Sequence, residues 1–98
     1  MKNFGLLGKN ISYSFSRTYF TEKFKKENIE AEYRNFDLDN IKEFRDVIKE
    51  TPNLQGLNVT IPYKQEIIPY LDELAPEAKE IGAVNTINVI GNKLIGHN

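Results

Sequence analysis

The chain has 98 residues, enough for one domain and one core but no more. It is 40% hydrophobic and 28% charged, the balance of an ordinary globular protein, which sets aside disordered and membrane-embedded classes. Thirteen basic and fourteen acidic residues leave a formal charge of −1, so there is no basic footprint for nucleic acid, and the lack of cysteine excludes disulfides and thiolate metal sites.

Met1-Lys2-Asn3-Phe4 opens directly into structure rather than into a signal peptide, and no apolar run approaches a membrane span. A cytoplasmic protein is the expectation. Phe4-Gly5-Leu6-Leu7-Gly8 predicts a buried first strand. Its two glycines do not make a G-x-G-x-x-G phosphate loop, so the chain offers no dinucleotide fingerprint of its own.

Next come three hydroxyls at alternate positions, Ser12, Ser14 and Ser16, ahead of a helical pattern over residues 16–28. Tyr19, Phe20 and Phe24 form its apolar stripe, with Phe15 or Ile29 flanking, while Lys23, Lys25 and Lys26 read as a solvated face. Ser16 reads as an N-cap, with Ser14 an ordinary loop residue. The same two hydroxyls, together with the free amides of a helix start, would equally suit a carboxylate.

Residues 31–38 predict a second strand, followed by a helix from Asp39 or Asn40 in which Asn40 and Glu43 have capping-box spacing. Ile41, Phe44, Val47 and Ile48 supply its buried stripe, and Thr51-Pro52-Asn53 ends it. Residues 56–64 carry the most informative stretch. Leu57, Val59 and Ile61 alternate with Asn58 and Thr60, which should share one face of a strand. Pro62 stops that strand and suits the first position of a helix. Lys64 would then face the positive end of a helix dipole, a local penalty of the kind that marks functional positions. A lysine simply paired with Glu66 satisfies the same spacing.

A short helix distorted by Pro69 should follow, then one over residues 76–81 with Gly82 as its left-handed terminator. Asn85 lies in the loop entering the next strand, as a turn residue or a ligand. Gly91-Asn92 predicts a two-residue hairpin turn, with residues 93–96 returning as the partner strand. His97, the only histidine, is expected to be a strand-end residue, and one histidine is too few for a His-ligated metal site. Strand-helix-strand-helix-strand predicts an α/β domain with a mostly parallel sheet ending in an antiparallel hairpin. Ligands bind such sheets at their carboxyl ends, where Asn58, Thr60 and Lys64 should gather. On these grounds the pocket would accept a small polyhydroxylated or carboxylated molecule.

Four segments resemble the substrate-binding domain of the shikimate dehydrogenase family. They are Gly5-Leu6-Leu7-Gly8 with Ser14-Phe15-Ser16, Asn58-Val59-Thr60-Ile61-Pro62-Tyr63-Lys64, Gly82-Ala83-Val84-Asn85-Thr86, and Lys93-Leu94-Ile95-Gly96-His97-Asn98. The resemblance implies a three-layer α/β/α fold of the amino-acid-dehydrogenase-like N-terminal type, with residues 1–98 as one shikimate-binding domain. It implies NADP-dependent reduction of 3-dehydroshikimate to shikimate in the route to chorismate and the aromatic amino acids. Ser14 and Ser16 would hold the carboxylate, Thr60 and Asn85 the ring hydroxyls, and Asn58 the same pocket. Lys64 would be the proton donor to the carbonyl oxygen.

Two departures stand out. The family pattern His-Ser-x-Ser-Pro is met here with Tyr13 and Arg17 at its flanks, which predicts a less rigid helix start. The pattern also runs past Asn98 into Thr-Asp, whose aspartate partners the lysine. The expectation is therefore a domain without its NADP-binding half, holding no cofactor itself, inactive alone, and prone to associate through its exposed cleft face. A quinate-using relative and a stand-alone small-molecule-binding module are the competing expectations. Neither nucleic acid nor membrane is an expected partner.

Overall fold

The computed structural model describes residues 1–12 and 14–98. The departure at Tyr13 lies outside the described residues, and Arg17 is exposed in the first turn of the first helix. In chain order the elements are β1 (Lys2–Gly8), α1 (Phe15–Lys26), β2 (Ala31–Asp37), α2 (Phe44–Glu50), β3 (Leu54–Val59), α3 (Tyr63–Glu66), β4 (Glu73–Leu74), α4 (Pro76–Ile81), β5 (Thr86–Ile90) and β6 (Lys93–His97). Single 3-10 turns at Ile41–Glu43 and Ile68–Tyr70 extend α2 and α3.

The six strands form one sheet in the order β2-β1-β3-β5-β6-β4. β1 pairs parallel with β2 and with β3, and β4 parallel with β6. β3–β5 and β5–β6 are antiparallel, so the expected closing hairpin is present, turned at Gly91 with φ 62°. The two-residue β4 was not foreseen: Glu73-Leu74 has no alternation to announce it, and it is a strand only because β6 lies beside it.

Helices lie on both faces. On one, Phe44 and Val47 of α2, Tyr63 of α3 and Ala78 of α4 pack with Leu7, Phe36, Leu57, Val59 and Ile87 of the sheet. On the other, α1 alone covers Phe4, Leu6 and Tyr33 through Phe20 and Phe24. The Asn40–Glu43 capping box is formed, Asn40 Oδ1 accepting from the Lys42 amide at 2.8 Å and Glu43 from the Asn40 amide at 2.8 Å. Gly82 terminates α4 at φ 76°.

Several boundaries differ from expectation. The cap of α1 is Ser14 rather than Ser16: the Ser14 hydroxyl accepts from the Ser16 amide at 3.2 Å, and the helix begins at Phe15. Phe15 and Tyr19 are exposed, because α1 lies along the β1–β2 side and turns only Phe20 and Phe24 inward. β3 ends at Val59, so Thr60 is not a strand residue sharing a face with Asn58. A turn closed by the Tyr63 amide donating to the Thr60 carbonyl (3.0 Å) carries Ile61 outward, 73% exposed. Pro62, preceded by a cis peptide bond, is the cap of α3 rather than its first residue.

Candidate functional site

Three stretches distant in sequence meet at one edge of the sheet: the start of α1, the carboxyl end of β3 with the turn after it, and the amino end of β5. Because β5 is antiparallel to β3, Thr86 lies opposite Asn58. The same inversion places the carboxyl end of β6 beside it, with His97 opposite Thr86.

The loop before α1 is held from below. The Asp37 carboxylate, at the end of β2, accepts from the amides of Asn10 (2.9 Å) and Ile11 (3.2 Å). Asn35 donates its side-chain amide to the Ile11 carbonyl at 3.3 Å, and the Ser14 amide donates to that same carbonyl at 3.0 Å. Ile11 itself is buried with Leu6 and Tyr33. This clamp, rather than the helix alone, fixes where the half-buried Ser14 and Ser16 stand.

Asn58 is half-buried, and its side-chain amide donates to the Tyr33 hydroxyl at 2.9 Å. Burial pushes the Tyr33 phenol up from its usual value of 10.0, against hydrogen bonds from Asn58 and then Ser16 that lower it. Thr60 donates its backbone amide to Leu7 at 2.9 Å, so it continues the β1 ladder for one bond after β3 has ended. Its methyl lies over Gly8, where an added Cβ would come within 2.6 Å of it.

The turn carrying Lys64 is tied to the loop before β5. Val84 donates its amide to the Lys64 carbonyl at 2.8 Å, and Val59 donates to the Asn85 carbonyl at 2.8 Å. Asn85 in turn donates its backbone amide to His97 at 2.9 Å and accepts from the Thr86 hydroxyl at 3.0 Å. Lys64 is half-buried. The expected dipole penalty does not hold for it, because α3 is one turn of four residues, too short to sum a macrodipole. Backbone pinning, not a helix field, sets its place. Among the described residues it makes no ion pair, with Glu66 or any other carboxylate.

All six sequence-predicted residues therefore reach one edge. A groove of about 280 Å³ on the α1 side of the sheet, lined by Phe4, Phe24, Gly56 and Thr86 among others, touches only Asn58 of the six. It is an apolar neighbour of the polar edge rather than the edge itself. Sequence reading passed over Tyr33, Asp37 and Thr86. A tyrosine at an inward position of β2 was the available signal, since a buried phenol needs a partner for its hydroxyl. Asp37 and Thr86 carried no such sign. No group of three or more His, Asp or Glu among the described residues forms a metal site. No helix is long and apolar enough to cross a membrane.

The fold and this edge define a small α/β domain with hydroxyl and amide groups converging where its strands end. The family model described as "Shikimate dehydrogenase substrate binding domain" matches residues 6–87, and the chain belongs to that family. A shikimate dehydrogenase (NADP(+)) from Clostridium beijerinckii is 43% identical over 100 residues, covering 100% of this chain and 37% of the relative. The crystal structure of shikimate dehydrogenase 1 from Peptoclostridium difficile superposes with a TM-score of 0.90 at 45% identity, covering 100% of this chain and 38% of that one. A Listeria monocytogenes shikimate 5-dehydrogenase, solved in complex with shikimate and NAD, gives a TM-score of 0.88 at 37% identity, covering 99% and 34%. The chain spans 37% of the length of the first curated relatives it matches.

Proposed function

We propose that this chain is the substrate-binding, lysine-bearing part of a cytoplasmic NADP-dependent shikimate dehydrogenase, which interconverts 3-dehydroshikimate and shikimate. Ser14 and Ser16 take the ligand carboxylate, Thr60 and Asn85 the ring hydroxyls, and Asn58 lines the same pocket. Lys64, as an ammonium, gives its proton to the carbonyl oxygen as that oxygen becomes a hydroxyl, and receives it in the reverse direction.

The observation that carries the reading is the convergence of these six residues, from three separate stretches, at the end of a sheet whose family is defined by its substrate-binding domain. The shikimate in the complex of the Listeria relative supports the ligand. Relatives named as NADP(+) enzymes support the cofactor, which supplies hydride. The residues present do not fit NADP. A Cβ at Gly5 would lie 2.4 Å from Phe36, and one at Gly8 would lie 2.6 Å from Thr60, so both glycines serve close packing rather than a phosphate cradle. The dinucleotide therefore belongs to a partner domain outside these residues, and residues 1–98 act as the substrate domain.

Titrating shikimate into the 98-residue chain while recording amide NMR spectra tests the reading. Shifts gathered at Ser14, Ser16, Thr60 and Asn85 are expected, and their absence at millimolar ligand overturns it. Turnover of 3-dehydroshikimate with NADPH by this chain alone would overturn the placement of the cofactor elsewhere.

A further inference from the structure

We propose that Tyr33 is a positioning residue for the ligand edge: its hydroxyl orients the Asn58 amide. The inference deepens the shikimate-site reading above and rests on it.

Tyr33 lies on β2 and Asn58 on β3, with β1 between them. Neighbouring strands are ~4.8 Å apart, so the phenol has to reach over a whole strand to make this bond. It does so at 2.9 Å. The residue is only 4% exposed, and its ring stacks on Phe20 of α1 with centroids 4.7 Å apart and planes 23° apart. A hydroxyl buried this deeply must be partnered, and the usual partner is backbone. Here the partner is a side chain, that of Asn58, itself assigned to the ligand pocket. A phenol is protonated at neutral pH and burial pushes its pKa further up, so the hydroxyl stays a neutral partner for Asn58.

The orientation has a chemical consequence. With its NH2 turned to the phenol, the Asn58 amide presents Oδ1 on the opposite side. An acceptor at that position favours a ligand hydroxyl that donates.

Tyr33→Phe keeps the ring and its stacking on Phe20 and removes only the hydroxyl. Two readouts apply to the 98-residue chain. In the ligand-free protein the Asn58 side-chain amide resonances should move and exchange faster with water. In a shikimate titration the affinity should fall about fivefold to tenfold, the scale of one lost buried hydrogen bond. A Tyr33→Phe chain that melts earlier but binds shikimate as tightly as the parent overturns the proposal. A parent that does not respond to shikimate overturns the ligand reading, whereas a responding parent with an unmoved Asn58 amide in Tyr33→Phe overturns the Tyr33 assignment alone.

Discussion

Two buried tyrosines, one on each face of the sheet, put their hydroxyls to different uses. Tyr63, 3% exposed, donates to the backbone carbonyl of Leu38 and joins the end of β2 to the turn carrying Lys64. Tyr33, 4% exposed, accepts instead from the side chain of Asn58, which belongs to the candidate ligand edge. The first face, under α2, α3 and α4, is a closed apolar layer. The second is half covered by α1 and keeps polar groups beside a groove. One face is a closed apolar core, and the other leaves part of the candidate ligand edge beside an open groove.

Core truncation gives the strongest test of that division. Phe44 is 1% exposed within the closed layer, and Phe44→Ala should cost about 3–5 kcal/mol, much of the ~5–15 kcal/mol that holds a domain folded. Phe20, half-buried on the inward side of α1, should cost less than half as much when truncated to Ala. Urea midpoints for the two variants measure the contrast, and equal losses would remove it.

Hydroxyl deletion comes next. Tyr63→Phe strands the Leu38 carbonyl without its donor and should cost about 1–2 kcal/mol in stability while leaving shikimate-induced shifts in place. That pattern is the inverse of the one expected for Tyr33→Phe. If Tyr63→Phe weakened the ligand response as much as Tyr33→Phe does, the division between the two faces would fail.

Ser14→Ala is smaller in stability but reaches function. It removes the cap on the Ser16 amide, worth about 1 kcal/mol. Faster hydrogen exchange at Ser16 and Arg17, with loss of the carboxylate response, is the expected pair of results. Loss of the cap with an unchanged response would confine Ser14 to structure.

Much of this architecture was legible in the sequence because local patterns coincide with tertiary roles. The capping box at Asn40 and Glu43, the Gly82 stop and the Gly91 turn are each a short-range necessity, and each is where the pattern placed it. The parallel order of β1, β2 and β3 follows from the alternation of strands with helices. What escaped was set by contacts distant in sequence. β3 looked two residues longer because Ile61 continues its alternation, yet the Thr60–Tyr63 turn swings Ile61 into solvent. Lys64 was singled out for a helix field that a four-residue helix does not possess, and its position comes instead from Val84, twenty residues away. The bond from Asn58 to Tyr33 spans a separation of 25 residues and has no local signature at all.

The smallest expected effect is electrostatic and lies at the far side of the same edge. His97 sits between Asn88, 3.3 Å from its Nε2, and Glu77, 3.2 Å from its Nδ1. The Glu77 carboxyl is held below its usual value of 4.5, first by its own backbone amide and then by His97. A carboxyl depressed in the folded state contributes stability that is present above the unfolded value and lost as pH falls through the folded one. Glu77→Gln should therefore lower the urea midpoint slightly at pH 7, and the gap should close as the pH drops below about 4.5. Because the pair is exposed, added salt should narrow the gap as well. A gap that widened as the pH fell below about 4.5 would mean the carboxylate opposes folding.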